Sequence, residues 1–168
     1  MRRVFRLTLV ALILGAGPAM AQDVEFLGTF RDWHAFQFTE NGNKVCYMAS
    51  KPTRHEENNR PRGDIFLLVT HRPAENSRDV INVVAGYTYA PGSEVSAQIG
   101  DDSFSLFTNA DKAWARDPAT DQALVAAMRA GSTMTVRGAS DRGTQTVDTY
   151  SLLGFTAAHN AIDQACPQ

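Results

Sequence analysis

The sequence predicts a mainly β protein: a β-sandwich with two short helices, one of them C-terminal. Three observations predict this fold class. Apolar runs of strand length follow one another between residues 30 and 152, short turn segments separate them, and helix-capping signals occur at two places. A closed barrel is the alternative arrangement for about eight strands joined by short turns.

Turn residues and apolar runs together locate the strands. Asn41-Gly42, between the apolar runs Phe30–Phe38 and Lys44–Ser50, predicts a tight hairpin. The unbroken apolar runs within Asp64–His71 and Val80–Tyr89 predict central strands that are covered on both faces. The remaining strands are predicted at Glu94–Ile99, Ser103–Thr108, Met134–Ala139 and Thr144–Leu152.

Capping residues predict the two helices. The first runs from Asp117 as N-cap, with Pro118 at the first helical position, to Gly131 just past its end. The second begins at about Phe155, after Gly154. The residues predicted to face the sheet are Leu124, Val125 and Met128 in the first helix, and Phe155, Ala158, Ile162 and Cys166 in the second.

The first 21 residues have the pattern of a cleavable signal peptide. Three arginines precede the apolar segment Leu7–Leu14, and Ala19 and Ala21 fill a small-x-small site, which predicts cleavage between Ala21 and Gln22. The apolar segment is well short of the ~20 residues that span a bilayer. Residues 22–168 are therefore predicted to form one domain without a transmembrane anchor, exported through the general secretion route to the periplasm or beyond.

The charge of the mature chain argues against one class of partner. The signal segment holds three of the 16 basic residues and none of the 18 acidic ones, so the mature chain carries 13 basic and 18 acidic side chains, a net charge of −5. Nucleic-acid binding normally needs a basic face. We expect no nucleic-acid partner.

Both cysteines, Cys46 and Cys166, lie in the mature chain. Two thiols in an oxidising compartment usually pair, which predicts a disulfide between the last helix and an early strand. It would close a loop of about 121 residues, for which the chain-entropy model gives roughly 4–5 kcal/mol. A redox or nucleophilic cysteine is the alternative, although the usual C-x-x-C spacing is missing.

The sequence gives little sign of catalysis or of a cofactor. Its histidines, His34, His55, His71 and His159, do not pair at a metal-ligand spacing such as H-x-x-x-H. The G-x-S-x-G, P-loop and G-x-G-x-x-G motifs do not occur. We expect a non-enzymatic protein without metal or cofactor. A triad assembled from distant residues is the alternative, because geometry and not sequence order defines a triad.

A candidate binding surface is predicted in the polar stretch Lys51–Gly63, which reads as a solvated loop. Its arginines Arg54, Arg60 and Arg62 could hold a carboxylate or phosphate by paired hydrogen bonds. Trp114, near the edge of a strand, is the aromatic candidate for a surface role. The alternatives are an ordinary soluble loop and a tryptophan packed in the core.

The chain also carries short motifs in a fixed order: Asp32-Trp33-His34-Ala35-Phe36, Lys44-Val45-Cys46-Tyr47-Met48-Ala49-Ser50-Lys51-Pro52, Arg62-Gly63-Asp64, Thr70-His71-Arg72-Pro73, Ser103-Phe104-Ser105-Leu106-Phe107, Lys112-Ala113-Trp114-Ala115, Ser132-Thr133-Met134, and Tyr150-Ser151-Leu152-Leu153-Gly154-Phe155-Thr156-Ala157-Ala158. Together they resemble the invasion-associated locus B family of α-proteobacterial exported proteins. The resemblance covers residues 27–166, including both cysteines. Arg31 departs from it, because Gly is expected there and would suit a tight bend.

The resemblance implies an immunoglobulin-like β-sandwich, an envelope or secreted location and, in pathogenic members, a link to entry into host cells. It supplies no catalytic residues. We therefore expect an envelope protein that binds an unknown envelope or host-surface partner, with a role in invasion or in stress tolerance. A secreted adhesin acting directly on host cells is one alternative, and an envelope hydrolase is another.

Overall fold

A computed structural model describes residues 23–56 and 61–167 of the chain. The predicted signal peptide and its cleavage site lie outside these residues. The described chain is mainly antiparallel sheet with two helices, which confirms the predicted fold class. The strands are β1 (Glu25–Phe30), β2 (Trp33–Glu40), β3 (Asn43–Ser50), β4 (Arg54–Glu56), β5 (Phe66–Arg72), β6 (Ser77–Val84), β7 (Glu94–Ile99), β8 (Asp102–Asn109), β9 (Lys112–Trp114), β10 (Thr133–Ala139) and β11 (Gln145–Ser151), and the helices are α1 (Pro118–Ala130) and α2 (Phe155–Ala165).

The strands form one continuous sheet in the order β1-β2-β3-β5-β6-β9-β8-β7-β10-β11-β4. The short strand β9 pairs with β6 on one side and with β8 on the other, so it joins a first half, β1 to β6, to a second half, β8 to β4. The halves face each other. One contact between them is a 3.0 Å hydrogen bond from the indole N–H of Trp33 on β2 to the carbonyl of Ser151 on β11. Since β1 and β4 end the strand order, the fold is a sandwich and not a closed barrel.

The core lies between the two halves. Alternate residues of each strand point inward, and those of both halves form one buried cluster. Trp33, Met48 and Val69 from the first half and Leu106 and Met134 from the second are all 0% exposed. No helix of the described residues is long and apolar enough to cross a membrane.

Helix α1 begins and ends where its capping residues predict. The Asp117 carboxylate accepts a 2.8 Å hydrogen bond from the Thr120 amide, and Pro118 follows as the first helical residue. At the other end the Gly131 amide donates to the Ala127 carbonyl. The predicted apolar face is buried, and it also contains one acid that the pattern did not predict: Leu124, Val125, Met128 and Asp121.

Asp121 should make stability depend on pH. Its side chain lies under the helix, 7% exposed, and accepts a 2.8 Å hydrogen bond from the Ile81 amide. Burial raises the pKa of Asp121 to about 6 although that hydrogen bond opposes the change. Because the native state then holds the proton more tightly than the unfolded chain, its contribution to stability is full below about pH 4 and is lost as the pH rises through 6.

The substitution Asp121→Asn tests this effect, since the amide oxygen can still accept the hydrogen bond from Ile81. We expect the variant to be more stable than the parent at pH 7, by on the order of 1 kcal/mol, and to lose that advantage at about pH 4. Urea unfolding at the two pH values measures the difference. An equal stability difference between variant and parent at both pH values would contradict the prediction.

Helix α2 packs against the strands β1, β2, β3 and β5 of the first half. Its first residue, Phe155, packs edge-on against Trp33 with ring centroids 5.1 Å apart. At its far end Cys166 is bonded to Cys46 on β3, with a Cα–Cα distance of 6.0 Å, which confirms the predicted disulfide. Both cysteines are buried. The predicted face of α2 therefore packs as expected.

The structure corrects the strand predictions in four places. The stretch predicted as a solvated loop contains β4, which pairs with β11. Strand β6 ends at Val84 and not at Tyr89, because Gly86 takes a φ of +72° and packs against Gly63. Strand β1 was missed, since the register shift at Gly28 interrupts its alternation. With the three-residue strands β4 and β9, the total among the described residues is eleven instead of about eight.

Candidate functional site

Arg62, one of the predicted binding residues, is a buried structural residue. Its two terminal nitrogens each donate a 2.8 Å hydrogen bond to the Asp148 carboxylate, and the Ala85 carbonyl accepts two more. The Arg62 and Asp148 side chains are only 6% and 4% exposed. The guanidinium also lies 4.9 Å from the centroid of the Tyr87 ring. Its donors are thus committed within the protein, which corrects the prediction for this residue.

The other predicted residues do not join Arg62 in one surface. Arg54 is exposed on β4 and pairs with Glu56 on the same strand. Trp114 is half-buried on β9, stacked on Phe107 at 5.7 Å, and four strands separate it from β4 in the sheet. Arg60 lies outside the described residues. The structure therefore does not bring the described members of the set together.

A cluster that the sequence did not predict, with two buried histidines and two half-buried aspartates, lies beneath α2. This histidine–aspartate cluster consists of His71 on β5, Asp79 on β6, and His159 and Asp163 on α2. His71 Nε2 lies 2.9 Å from Asp163 Oδ1, and the Asp79 amide donates a 3.0 Å hydrogen bond to His71 Nδ1. His159 Nε2 lies 2.6 Å from Asp79 Oδ1, and His159 Nδ1 lies 3.1 Å from Asp163 Oδ2. The cluster joins three elements of the fold.

The hydrogen bonds of the cluster fix the protonation of His71. A backbone amide can only donate, so His71 Nδ1 accepts, and Nε2 carries the proton and donates a hydrogen bond to Asp163 Oδ1. Burial lowers the pKa of His71, with Arg78 and His159 acting in the same direction against Asp79, so the imidazole is neutral. Burial raises the pKa of Asp79, but the hydrogen bond with His159 and the surrounding charges, including Arg78, outweigh burial and hold that pKa below its ordinary value. Each nitrogen of the two imidazoles lies within hydrogen-bond distance of a partner.

The cluster also has the composition of a metal site, since candidate ligand atoms of His71, His159 and Asp163 lie within 4.8 Å of one another. A metal on His71 Nε2 would require the proton to move to Nδ1, where the Asp79 amide already points. Arg78 forms an ion pair with Asp163, and Arg129 lies 3.6 Å from the same carboxylate. This arrangement balances the carboxylate charges with arginines, and it fits a structural network better than a metal site.

Chain spacing could not reveal the cluster, because its members come from residues 71 to 163. One signal pointed to the cluster. Cys46 is the register partner of His71. Asp163 and His159 precede Cys166, the partner of Cys46 in the disulfide, by about one and two helical turns. Combined with the predicted disulfide, these positions place both α2 residues over β5.

A second unpredicted feature is an apolar surface on the outside of the first half. We call it the outer aromatic face and define it by the outward side chains of β1, β2, β3 and β5: Phe26, Phe36, Phe38, Tyr47, Phe66 and Leu68. The Phe36 ring stacks on Tyr47 with centroids 5.0 Å apart and lies 5.4 Å from Phe26. Phe26 is 55% exposed, and no helix or strand of the described residues covers this face. The expectation that β5 is covered on both faces is therefore wrong for the described chain.

The outside of the second half is different. Its outward residues are mainly polar and include Ser96 and Gln98 on β7, Ser105 on β8, and Thr135 and Arg137 on β10. A sheet face that meets only water normally carries such side chains. The contrast between the two outsides singles out the outer aromatic face as the candidate binding surface among the described residues.

The protein is an antiparallel β-sandwich in which a disulfide bonds the C-terminal helix to an early strand, and this arrangement defines its structural class. The chain belongs to the Invasion associated locus B (IalB) protein family, whose family model matches residues 33–163. The fold is similar to that in the crystal structure of invasion associated protein B from Bartonella henselae, with a TM-score of 0.53 and 20% sequence identity over 82% of this chain and 95% of that one. No curated protein matches the chain.

Proposed function

We propose that this protein is an exported, non-enzymatic binding protein of the bacterial cell envelope and that the outer aromatic face is its binding surface. The observation that carries the proposal is the apolar composition of this face beside a polar second half. A patch of large apolar side chains that are only partly buried is costly in water unless a partner covers it. A role in host-cell invasion or in stress tolerance would follow from that binding.

Two features support export. Residues 1–21 have the pattern of a signal peptide, and the buried Cys46–Cys166 bond suits an oxidising compartment such as the periplasm. The adhesin alternative requires the mature protein to leave the cell. Cell fractionation of the native host separates the two, because a protein confined to the periplasm cannot contact host cells.

The histidine–aspartate cluster supports a non-enzymatic role. It is the natural place to look for an acid–base group, yet both nitrogens of each imidazole lie within hydrogen-bond distance of a partner. The cluster lies beneath α2, where it holds the helix on the sheet. Binding without chemical conversion is therefore the favoured activity.

Site-specific photo-cross-linking in the native host tests the binding surface. A photoreactive phenylalanine at position 26 should form an adduct with a distinct partner, because Phe26 is the most exposed ring of the outer aromatic face. The same residue at position 107, an exposed phenylalanine of the second half, is the matched control and should form little or none. Equal adducts at both positions would exclude the face as a specific binding surface.

A further inference from the structure

Two grooves run along the outer aromatic face. The first, about 420 Å³, lies between Val24, Phe38, Tyr47 and Leu68 and ends at Arg72. The second, about 340 Å³, contains Phe36, Phe66 and Ala49 and ends at Arg31 and Lys51. Volumes of this size are typical of small-molecule sites. The grooves meet at Ala49 and Leu68, which are register partners on β3 and β5.

The dimensions of the face favour a small occupant over a folded partner. From Val45 to Lys51 the face extends over six residues of strand, roughly 20 Å, and its four strands span about the same width. That footprint is on the order of 400 Å², about half of the ~800 Å² that each partner contributes to a standard protein–protein interface. One extended hydrocarbon chain lying along the grooves fits better than a folded partner.

The charges that line the grooves favour an anion. The lining includes three cations, Arg31, Lys51 and Arg72, against one acid, Asp32. Arg72 is held by Glu40 and Glu75, so its charge is already balanced.

Lys51 and Arg31 lie at the opposite end and are more available. Lys51 pairs with Asp64 at 3.3 Å, but both side chains are largely exposed, and such a pair is easily exchanged. Among the ion pairs of the described residues none includes Arg31. An anionic group would therefore bind at the end of the second groove.

Arg31 gives independent support. It takes a φ of +57° in the turn between β1 and β2, a conformation that glycine adopts at lower cost. A strained non-glycine residue beside a groove points to a role for its side chain.

We propose that the outer aromatic face binds a single acyl chain with an anionic head group, the chain lying along the grooves and the head group at Arg31 and Lys51. This inference rests on the proposed function and names its ligand class. The rings of Phe36, Phe38 and Tyr47, which line the grooves, contact the hydrocarbon, and the two cations bind the head group. The burial of hydrocarbon supplies affinity, and the cations supply selectivity.

The test is an NMR titration of the mature, oxidised protein with dodecanoate, dodecyl maltoside and dodecylammonium, each below its micelle concentration. Dodecanoate should shift the amides of β1, β2, β3 and β5 and bind about tenfold more tightly than dodecylammonium. Equal affinity for the anion and the cation, or amide shifts confined to other strands, would overturn the proposal.

Matched variants separate ligand contacts from folding. Arg31→Gly and Lys51→Gln should each weaken dodecanoate binding severalfold to about tenfold and leave dodecyl maltoside binding unchanged. Arg31→Gly should also be at least as stable as the parent, because it removes a positive-φ arginine. Phe38→Ser should weaken both ligands, because Phe38 lines the first groove. Arg137→Gln and Phe107→Ser, at exposed positions in the second half of the sandwich, should weaken neither. Unchanged dodecanoate binding by Arg31→Gly and Lys51→Gln would overturn the head-group assignment.

The cross-linking experiment distinguishes the proposed binding surface from the proposed acyl-chain ligand. A protein adduct at position 26 without dodecanoate binding would remove the acyl ligand and keep the binding function. Absence of both would remove the face as a binding surface altogether. An adduct whose mass corresponds to an acyl lipid would support both.

Discussion

Replacing Arg62 by methionine is expected to destabilise the protein by about 3–5 kcal/mol. The substitution removes the partner of a carboxylate whose side chain is 4% exposed and leaves the Asp148 charge buried without its paired hydrogen bonds. It also leaves the Ala85 carbonyl without the two donors from the guanidinium. Guanidinium unfolding of the oxidised protein, followed by circular dichroism, measures the loss.

Two controls identify the cause. The double variant Arg62→Met with Asp148→Asn should recover a large part of the loss, because it removes the unpaired charge. Arg116→Met breaks an exposed pair with Glu94 and should cost far less. If Arg62→Met destabilised the protein no more than Arg116→Met, the buried Arg62–Asp148 pair would not be important for stability.

Removal of the disulfide should have an effect of similar size. Replacing Cys46 and Cys166 together by alanine opens a loop with a sequence separation of 120 residues and is expected to cost about 2–5 kcal/mol. Alanine suits the test because both positions are buried, and serine would bury an extra hydroxyl. Unfolding of the parent and the variant under non-reducing conditions gives the difference.

Reductant provides the matching control. It should lower the stability of the parent toward that of the variant and leave the variant unchanged. Hydrogen exchange should show the loss first in α2, since the bond joins that helix to β3. A variant as stable as the oxidised parent would show that the helix is held by packing and the histidine–aspartate cluster alone.

Features set by local sequence could be predicted well. The ends of α1 follow from Asp117, Pro118 and Gly131, whose capping roles depend on a few neighbouring residues. The β2–β3 turn follows from Asn41-Gly42, both with positive φ. The disulfide was predicted because the chain offers two cysteines and one pairing.

Features that depend on distant residues could not be predicted. Arg62 reads as part of a polar loop, and its burial follows only from the position of Asp148, 86 residues further along the chain. The histidine–aspartate cluster needs strand register and helix docking together. The apolar run of β5 concealed the outer aromatic face, because such a run looks the same whether the chain covers both faces of the strand or only one.

The strand β9 links the halves of the sandwich through three residues, and this makes the tryptophans useful as separate optical probes. Trp114 lies on that link and stacks on Phe107, so its emission reports on the seam where the two halves could part. Trp33 is fully enclosed between the halves and against Phe155, so its emission reports on loss of the whole interior. Single-tryptophan versions of the protein would therefore distinguish a partial opening along the seam from complete denaturation.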